Sequence, residues 1–376
     1  MSSVSELVAL RPPSRGLPRP VLPNLRGLSR AELRAFVADH IGGPSFRADQ
    51  IFEWLHGRRV DGAAAMSNLP AAVRTELDAR GGFQRLVVDE CRTAIDGTRK
   101  LRLRGDEGVV LESVLIPNAG RGYTQCISSM IGCSLTCRFC ATATLGFIRN
   151  LATWEIVDQV YQAQDLLVRE AAETGLQWPA RITNLVFMGM GEPLHNYGQV
   201  KRAIELLVDA KGAAIAPRRI TVSSSGLVPA IERFAREGLA EQVGLAISLN
   251  ATTDAVRDRI MPINTRWNIA ALLDLVKRLP AHRRRQVTFE YVLLAGVNDS
   301  DDDAKRLVGL VGALDCHVNV IPFNAHPGTE LRRPSPERVH AFVELARRGG
   351  LNVHVRTPRG DDIAAACGQL AVEAAS

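Results

Sequence analysis

The sequence predicts an α/β protein: a complete or partial β/α barrel, preceded by a small helical accessory domain and a strand extension. Three observations predict it. From Cys126 onward, β-rich runs alternate with amphipathic helical stretches, the pattern that builds a parallel sheet. Within residues 86–125, Lys100-Leu101-Arg102-Leu103-Arg104 alternates at the period of a strand, and 109–116 is a β-rich run. Between Ser29 and Leu77, apolar residues recur at helical spacing in segments too short to bury much alone.

Taken in order, residues 1–24 carry prolines at 12, 13, 18, 20 and 23 with little periodicity, and read as a disordered Pro/Arg-rich tail. The helical unit is expected over 25–85. Leu33, Phe36 and Val37 share one face there, Ile51, Trp54 and Leu55 another, and Pro70 opens a helix ending near Gly81. The barrel is expected over 126–370, with 371–376 as a second tail. Its strands are predicted at 182–188, 219–224, 243–249, 287–294 and 317–323, with a shorter one at 352–355. Helices are predicted at 156–173, 198–210, 228–237, 269–279, 302–314 and 336–348. In the first of these, Val157, Val160, Ala163, Leu166 and Leu167 form one stripe. Chemistry is expected in the loops after the strands, which carry Gly189-Met190-Gly191-Glu192-Pro193, Ser223-Ser224-Ser225-Gly226, Ser248-Leu249-Asn250 and Pro322-Phe323-Asn324.

The 376-residue chain is 46% hydrophobic with a net charge of +6, close to a globular average, which excludes a mostly disordered, collagenous or coiled-coil protein. No apolar run approaches the roughly 18 residues of a membrane span, and the N-terminus lacks an export signal. A cytoplasmic location is expected, where thiols stay reduced. Residues 1–60 hold nine arginines against five acids, so the basic excess is concentrated at the front. It permits a polyanionic partner without demanding one. Arg58-Arg59 and His282-Arg283-Arg284-Arg285 are candidate phosphate contacts, although such runs are most often solvated faces.

Seven cysteines stand at 91, 126, 133, 137, 140, 316 and 367, four of them within fifteen residues. In a reducing compartment such a cluster points to metal or redox chemistry rather than disulfides. Cys133, Cys137 and Cys140 form C-x3-C-x2-C, and three thiolates on one loop suit three corners of an iron–sulfur cubane. The fourth iron of such a cubane is open to the amino and carboxylate groups of S-adenosylmethionine. The alternative is a structural zinc with Cys126 as fourth ligand, although zinc sites usually bring two close pairs.

C-x3-C-x2-C at the start of a β/α series resembles the radical S-adenosylmethionine (radical SAM) superfamily. The flanking residues resemble its RNA adenine-C2 methyltransferases: Cys126-Ile127-Ser128-Ser129, Gly146-Phe147-Ile148-Arg149-Asn150-Leu151, Phe187-Met188-Gly189-Met190-Gly191-Glu192-Pro193-Leu194, Met261-Pro262-Ile263-Asn264, and the segment from Arg359 to Leu370. Phe46-Arg47-Ala48-Asp49-Gln50-Ile51 and Asp96-Gly97-Thr98-Arg99-Lys100 extend the resemblance, which runs from about Leu25 to Leu370.

The resemblance implies a partial (β/α)6 radical-SAM barrel and methylation of C2 of an adenosine in 23S rRNA and of the adenosine 3′ to the anticodon in some tRNAs. It implies a [4Fe-4S] cluster on Cys133, Cys137 and Cys140, and two molecules of S-adenosylmethionine per turnover. Cys367 then carries a methyl group, Cys126 resolves the protein–RNA thioether through a transient disulfide with Cys367, and Glu112 accepts a proton. Gly191, Glu192, Ser223, Ser248, Leu249, Asn250 and Asn324 match the cofactor-binding positions. A reducing donor such as flavodoxin and a monomeric state, without a membrane, are also implied. Two departures stand out: relatives usually carry histidine where Asn250 stands, and the stretch from Glu112 to Cys126 is about one residue longer. Competing readings are the C8-methylating antibiotic-resistance branch, which Pro193 and Arg359-Gly360-Asp361-Asp362 resemble less well, and a non-catalytic zinc-stabilised RNA-binding protein.

Overall fold

A computed structural model describes residues 22–105, 108–175, 179–279 and 287–371. The His282–Arg285 run, most of the N-terminal tail and the last five residues lie outside them.

Short helices, among them Arg30–Phe36, Phe46–Phe52 and Ala71–Arg80, make up the N-terminal unit. Ser29 and Glu32 form a reciprocal cap that satisfies two N–H groups at the first of these, which is why the helix starts there. Leu33, Phe36, Val37, Ile51 and Leu55 are buried, as their spacing predicts. They join one apolar core that continues through the barrel to Leu370. Polar contacts fix the docking. Arg30 grips Asp209 with Nε and Nη2 at 2.6 and 2.8 Å, Arg59 pairs with Asp165 at 2.7 Å, and buried His56 meets the Tyr161 hydroxyl at 2.8 Å. Part of the basic excess at the front is therefore used inside the molecule. Arg59 is committed to an ion pair, whereas Arg58 stacks over Trp54 and stays exposed.

Twelve strands follow among the described residues: β1 (Val87–Thr93), β2 (Arg99–Arg104), β3 (Val110–Asn118), β4 (Gly122–Cys126), β5 (Met130–Gly132), β6 (Phe147–Asn150), β7 (Ile182–Phe187), β8 (Ile220–Ser224), β9 (Gly244–Ser248), β10 (Val287–Leu293), β11 (Cys316–Pro322) and β12 (Asn352–Val355). Ten of them form one sheet, in the order β1-β2-β3-β4-β7-β8-β9-β10-β11-β12. The first four pair antiparallel, and β4 to β12 pair parallel. Helical crossovers link the parallel strands, including Thr153–Thr174, Tyr197–Val208, Val228–Arg236, Ile269–Arg278, Asp301–Val311 and Pro336–Arg348. The expected strand extension is thus continuous with the barrel sheet. β12 pairs only with β11, so the barrel stays open between β12 and the β3–β4 side.

Period-two alternation decides which side chains face the barrel interior. In β10, Phe289, Tyr291 and Leu293 pack into the helix-covered core, while Glu290 and Val292 point to the interior cavity. β8 does the same with Ile220 and Val222 outside and Ser223 inside. Cys316 is buried; Cys91 stands exposed on the outer strand β1, so core packing is not its role. Among the described residues, no helix is long and apolar enough to cross a membrane.

Candidate active site

The three clustered cysteines lie in the loop that joins β5 to β6, a short antiparallel pair the sequence did not foretell. The loop is pinned from three sides. The Cys133 N–H donates to the carbonyl of Gly146 at 2.9 Å, that of Arg138 to Ile260 at 3.0 Å, and that of Ala141 to Gly368 at 2.7 Å. The last bond, with the Thr142 hydroxyl donating to Leu370 O at 2.6 Å, ties the cysteine loop to the segment carrying Cys367.

Two cavities open at the strand ends. The first, of about 130 Å³, is lined by Cys133, Cys137 and Cys140 together with Gly191, Ser223, Ser225, Ser248, Asn250, Glu290, Asn324 and Cys367. The second, of about 370 Å³, occupies the gap where the barrel does not close. Val114, Ile116, Thr124 and Cys126 form one wall, and Arg356, Arg359, Ala366 and Cys367 the other. Cys367 and Asn324 line both. The structure therefore brings together around the first cavity five expected cofactor positions, Gly191, Ser223, Ser248, Asn250 and Asn324, with the three clustered cysteines and Cys367, and both expected redox cysteines around the second.

Gly191 has φ +97°, and a Cβ there would stand 2.5 Å from Met130 Cβ, so only glycine lets this loop approach β5. Asn250 also has a positive φ, 55°, a conformation asparagine tolerates better than most residues. Its Oδ1 accepts from Val292 N–H at 2.7 Å and its Nδ2 donates to Met261 Sδ, so the amide braces the cavity wall. Asn324 donates to the Cys367 carbonyl at 3.0 Å and accepts from Arg333 at 2.6 Å, which holds the Cys367 loop over the barrel mouth.

Three expected site residues line neither cavity. Leu249 is buried in the core. Glu192 is buried beneath the first cavity, where Oε2 accepts from Ser225 N–H at 2.7 Å and Oε1 from Leu194 N–H at 3.2 Å. Glu112 is buried on β3 beside Lys100, 3.4 Å from its Nζ, and Lys100 in turn donates to the Ala364 carbonyl at 3.4 Å. Glu112 thus reaches the Cys367 segment through a lysine.

Burial dominates the thiols. It pushes Cys133 and Cys126 up to about 12, Cys367 to about 11, and raises Cys137 and Cys140 as well. Cys367 has open surface, but that surface lies within the cavities, where protein atoms crowd its sulfur. Arg356 opposes the effect at both Cys126 and Cys367. Arg356 was missed in the sequence, as was Glu290, 3.9 Å from it and hydrogen-bonded to Asn319 at 2.9 Å. For Glu290 a signal was present: a carboxylate on the interior phase of a strand whose other phase is wholly apolar.

The donor set fits an iron–sulfur cubane. Among the described residues, no three Cys, His, Asp or Glu side chains converge on one point as ligands of a single ion do. The three thiols instead border a shared cavity, which suits a centre where each sulfur takes a different iron. Thiols held this far up bind only after losing protons, so loading releases them.

Residues 127–308 match the family described as the Radical SAM superfamily, and residues 23–81 match the Ribosomal RNA large subunit methyltransferase N-terminal domain. The chain is 42% identical over 363 residues to the dual-specificity RNA methyltransferase RlmN 2 of Myxococcus xanthus, covering 96% of this chain and 94% of that one. It is 45% identical over 351 residues to the dual-specificity RNA methyltransferase RlmN of Anaeromyxobacter dehalogenans, covering 93% and 92%. The fold superposes on the crystal structure of a radical SAM methyltransferase from Sphaerobacter thermophilus with a TM-score of 0.84 and 42% identity, covering 92% of this chain and 98% of the other. Radical SAM membership implies a [4Fe-4S] cluster and S-adenosylmethionine, which the thiols and the cavity beside them accommodate. With the cysteine loop, the open barrel and near-complete coverage in agreement, the chain belongs to the RlmN family of dual-specificity RNA methyltransferases, enzymes of the radical SAM superfamily.

Proposed function

We propose that this chain methylates C2 of an adenosine in 23S rRNA and of the adenosine 3′ to the anticodon in some tRNAs, using Cys367 as a methyl carrier. One observation carries the reading: Cys367 stands in the wall shared by two cavities, one bordered by the three clustered cysteines and the other by Cys126. A carrier must face both the source of the group and its acceptor.

C2 of adenine lies between two ring nitrogens and is too electron-poor to attack a sulfonium methyl directly. Bound to Cys133, Cys137 and Cys140, the cluster supplies the electron that cleaves S-adenosylmethionine into a hydrogen-abstracting radical. The Cys367 thiolate first takes the methyl group of one S-adenosylmethionine, leaving S-adenosylhomocysteine. Once a hydrogen atom has left the methyl group on Cys367, its methylene carbon bonds to C2. The adduct then gives up one electron, which a bound cluster would take back, and the C2 proton, which passes to Glu112. Cys126 Sγ then attacks Cys367 Sγ, the carbon–sulfur bond breaks with its electron pair going to the carbon, and a proton completes the methyl group. A disulfide remains for an external thiol reductant to reopen; a donor such as flavodoxin would reduce the cluster. Two molecules of S-adenosylmethionine are used per turnover. Gly191, Glu192, Ser223, Ser248, Leu249, Asn250 and Asn324 shape the cofactor cavity or hold its loops. Glu112 serves as proton acceptor, with Lys100 linking it to the Cys367 segment. The target base leaves its stack to enter the second cavity. The helical unit at 25–85 and the strand extension at 86–125 flank the barrel at 126–370 and offer the neighbouring RNA surface.

The test is mapping of methyladenosines in RNA from cells lacking the gene and from complemented cells. Loss and recovery of 2-methyladenosine in both RNAs is expected. Recovery of 8-methyladenosine instead, or a wild-type protein whose Cys367 never bears a methyl or methylene mark in mass spectra, overturns the reading.

A further inference from the structure

The Met261-Pro262-Ile263-Asn264 motif lines neither cavity, yet it reaches the first through two side chains, Met261 Sδ on Asn250 and Asn264 on Arg257. Asn264 Oδ1 accepts from Arg257 Nη1 at 2.9 Å, and Asn264 Nδ2 donates to Asp258 at 2.6 Å and Asp254 at 3.1 Å. Arg257 sits on the short helix Asp254–Ile260 and is fully buried. Its remaining donors go to three carbonyls at the strand ends: Nε to Leu249 at 2.9 Å, and Nη2 to Ser225 at 2.9 Å and Ser248 at 3.0 Å. Ser225 and Ser248 line the first cavity, so one guanidinium joins the loops after β8 and β9 that form its wall.

A buried guanidinium costs several kcal/mol in desolvation unless something compensates it. Here the direct partners are carbonyls and an amide, and the carboxylates of Asp254 and Asp258 stand one hydrogen bond further away. The cysteine loop is close by, since Ser225, whose carbonyl the guanidinium holds, borders the same cavity as Cys137. Cys137 is among the ionisable groups that bear on Arg257, and the helix carrying Arg257 ends on Ile260, whose carbonyl accepts from Arg138 N–H beside Cys137 at 3.0 Å. Three thiolates give a bound cluster net negative charge, and each added electron deepens it. A cation held in low dielectric nearby favours the more negative, reduced state.

We propose that Arg257 is a positioning residue with two effects: it ties the loops after β8 and β9 into the cofactor cavity wall, and it supplies the buried positive charge that makes the cluster on Cys133, Cys137 and Cys140 easier to reduce. This rests on the cluster reading above.

The test is a redox titration of the full chain, loaded anaerobically and followed by EPR, with thermal melting of the cluster-free forms as a check on folding. At the potential where the wild-type cluster is half reduced, Arg257→Gln is expected to lower the reduced-to-oxidised ratio about tenfold or more, about 59 mV for a one-electron couple. Arg257→Lys keeps the charge but not the fork. It is expected to titrate near wild type while losing affinity for S-adenosylmethionine, read from the cofactor-induced change in the EPR signal. Asp258→Asn, at an exposed position, removes a nearby anion and shifts the ratio toward the reduced form. Should Arg257→Gln not fold, the opposite behaviour of Asp258→Asn and the unshifted Arg257→Lys decide the matter. Variants that load and titrate with wild type overturn this inference alone. A wild-type chain that takes up no iron overturns the cluster reading and this inference with it.

Discussion

Glu192 Oε2 accepts the backbone N–H of Ser225 at 2.7 Å, so the loop after β7 grips the loop after β8 beneath the cofactor cavity. The carboxylate is used as a structural acceptor while it stays within the electrostatic reach of Cys133 and Cys137.

That placement sets a pH dependence. Burial raises the Glu192 carboxyl from 4.5 to about 6, against the pull of the N–H groups of Ser225 and Leu194. The folded chain then binds more protons than the unfolded one within that window. Its contribution is full below the window and falls as pH rises through it, by roughly 2 kcal/mol. Glu192→Gln is expected to abolish this slope, measured as urea midpoints of the cluster-free chain at several pH values across the window.

Gly132 ends β5 with φ +68°, and a Cβ there would collide with the carbonyl oxygen of Gly146, the acceptor for Cys133 N–H. Gly132→Ala is expected to open the β5–β6 hairpin at a cost of about 1–3 kcal/mol. Lower bound iron per chain with a modest drop in melting temperature is the expected signature; unchanged iron content contradicts it.

Removing the resolving thiol stops the proposed cycle after carbon–carbon bond formation. Cys126→Ala is expected to accumulate as a covalent complex with RNA through Cys367, seen as an RNase-sensitive shift on denaturing gels. The Cys126→Ala/Cys367→Ala double variant is expected to show no shift.

Arg85 holds the helical unit against the barrel, reaching Asp158, Asp165 and Asp61 at 3.0, 3.0 and 2.8 Å. The Asp158 side chain is fully buried, so Arg85→Ala leaves a buried carboxylate short of its counter-charge. A loss of about 3–5 kcal/mol in unfolding free energy is expected. Arg85→Ala together with Asp158→Asn is expected to recover part of it, which denaturation of both variants measures.

Most elements were legible because local patterns suffice for them. The six predicted crossover helices and the strands from β7 onward lie within a few residues of their predicted ends, since each carries its own apolar period. The β5–β6 hairpin was not legible: β5 is three residues long, and its partner comes only after the cysteine loop. The fate of Arg59 was equally hidden, because its partner Asp165 lies on a helix 106 residues away.

By itself the sequence determined the chemistry available: three thiols at cluster spacing, two further cysteines far apart in the chain, and strand ends rich in glycine, serine and asparagine. Only the tertiary structure decided which of these groups meet. The open seam between β12 and the β3–β4 side puts Cys126 and Cys367 around one cavity, and the grip of Ala141 and Thr142 on Gly368 and Leu370 brings Cys367 to the cluster loop. It also set Glu112 behind Lys100, and Arg257 behind the cavity wall. The physical reason is that alternation along a strand states which face a side chain takes, whereas its neighbours across a barrel depend on closure, register and long-range hydrogen bonds.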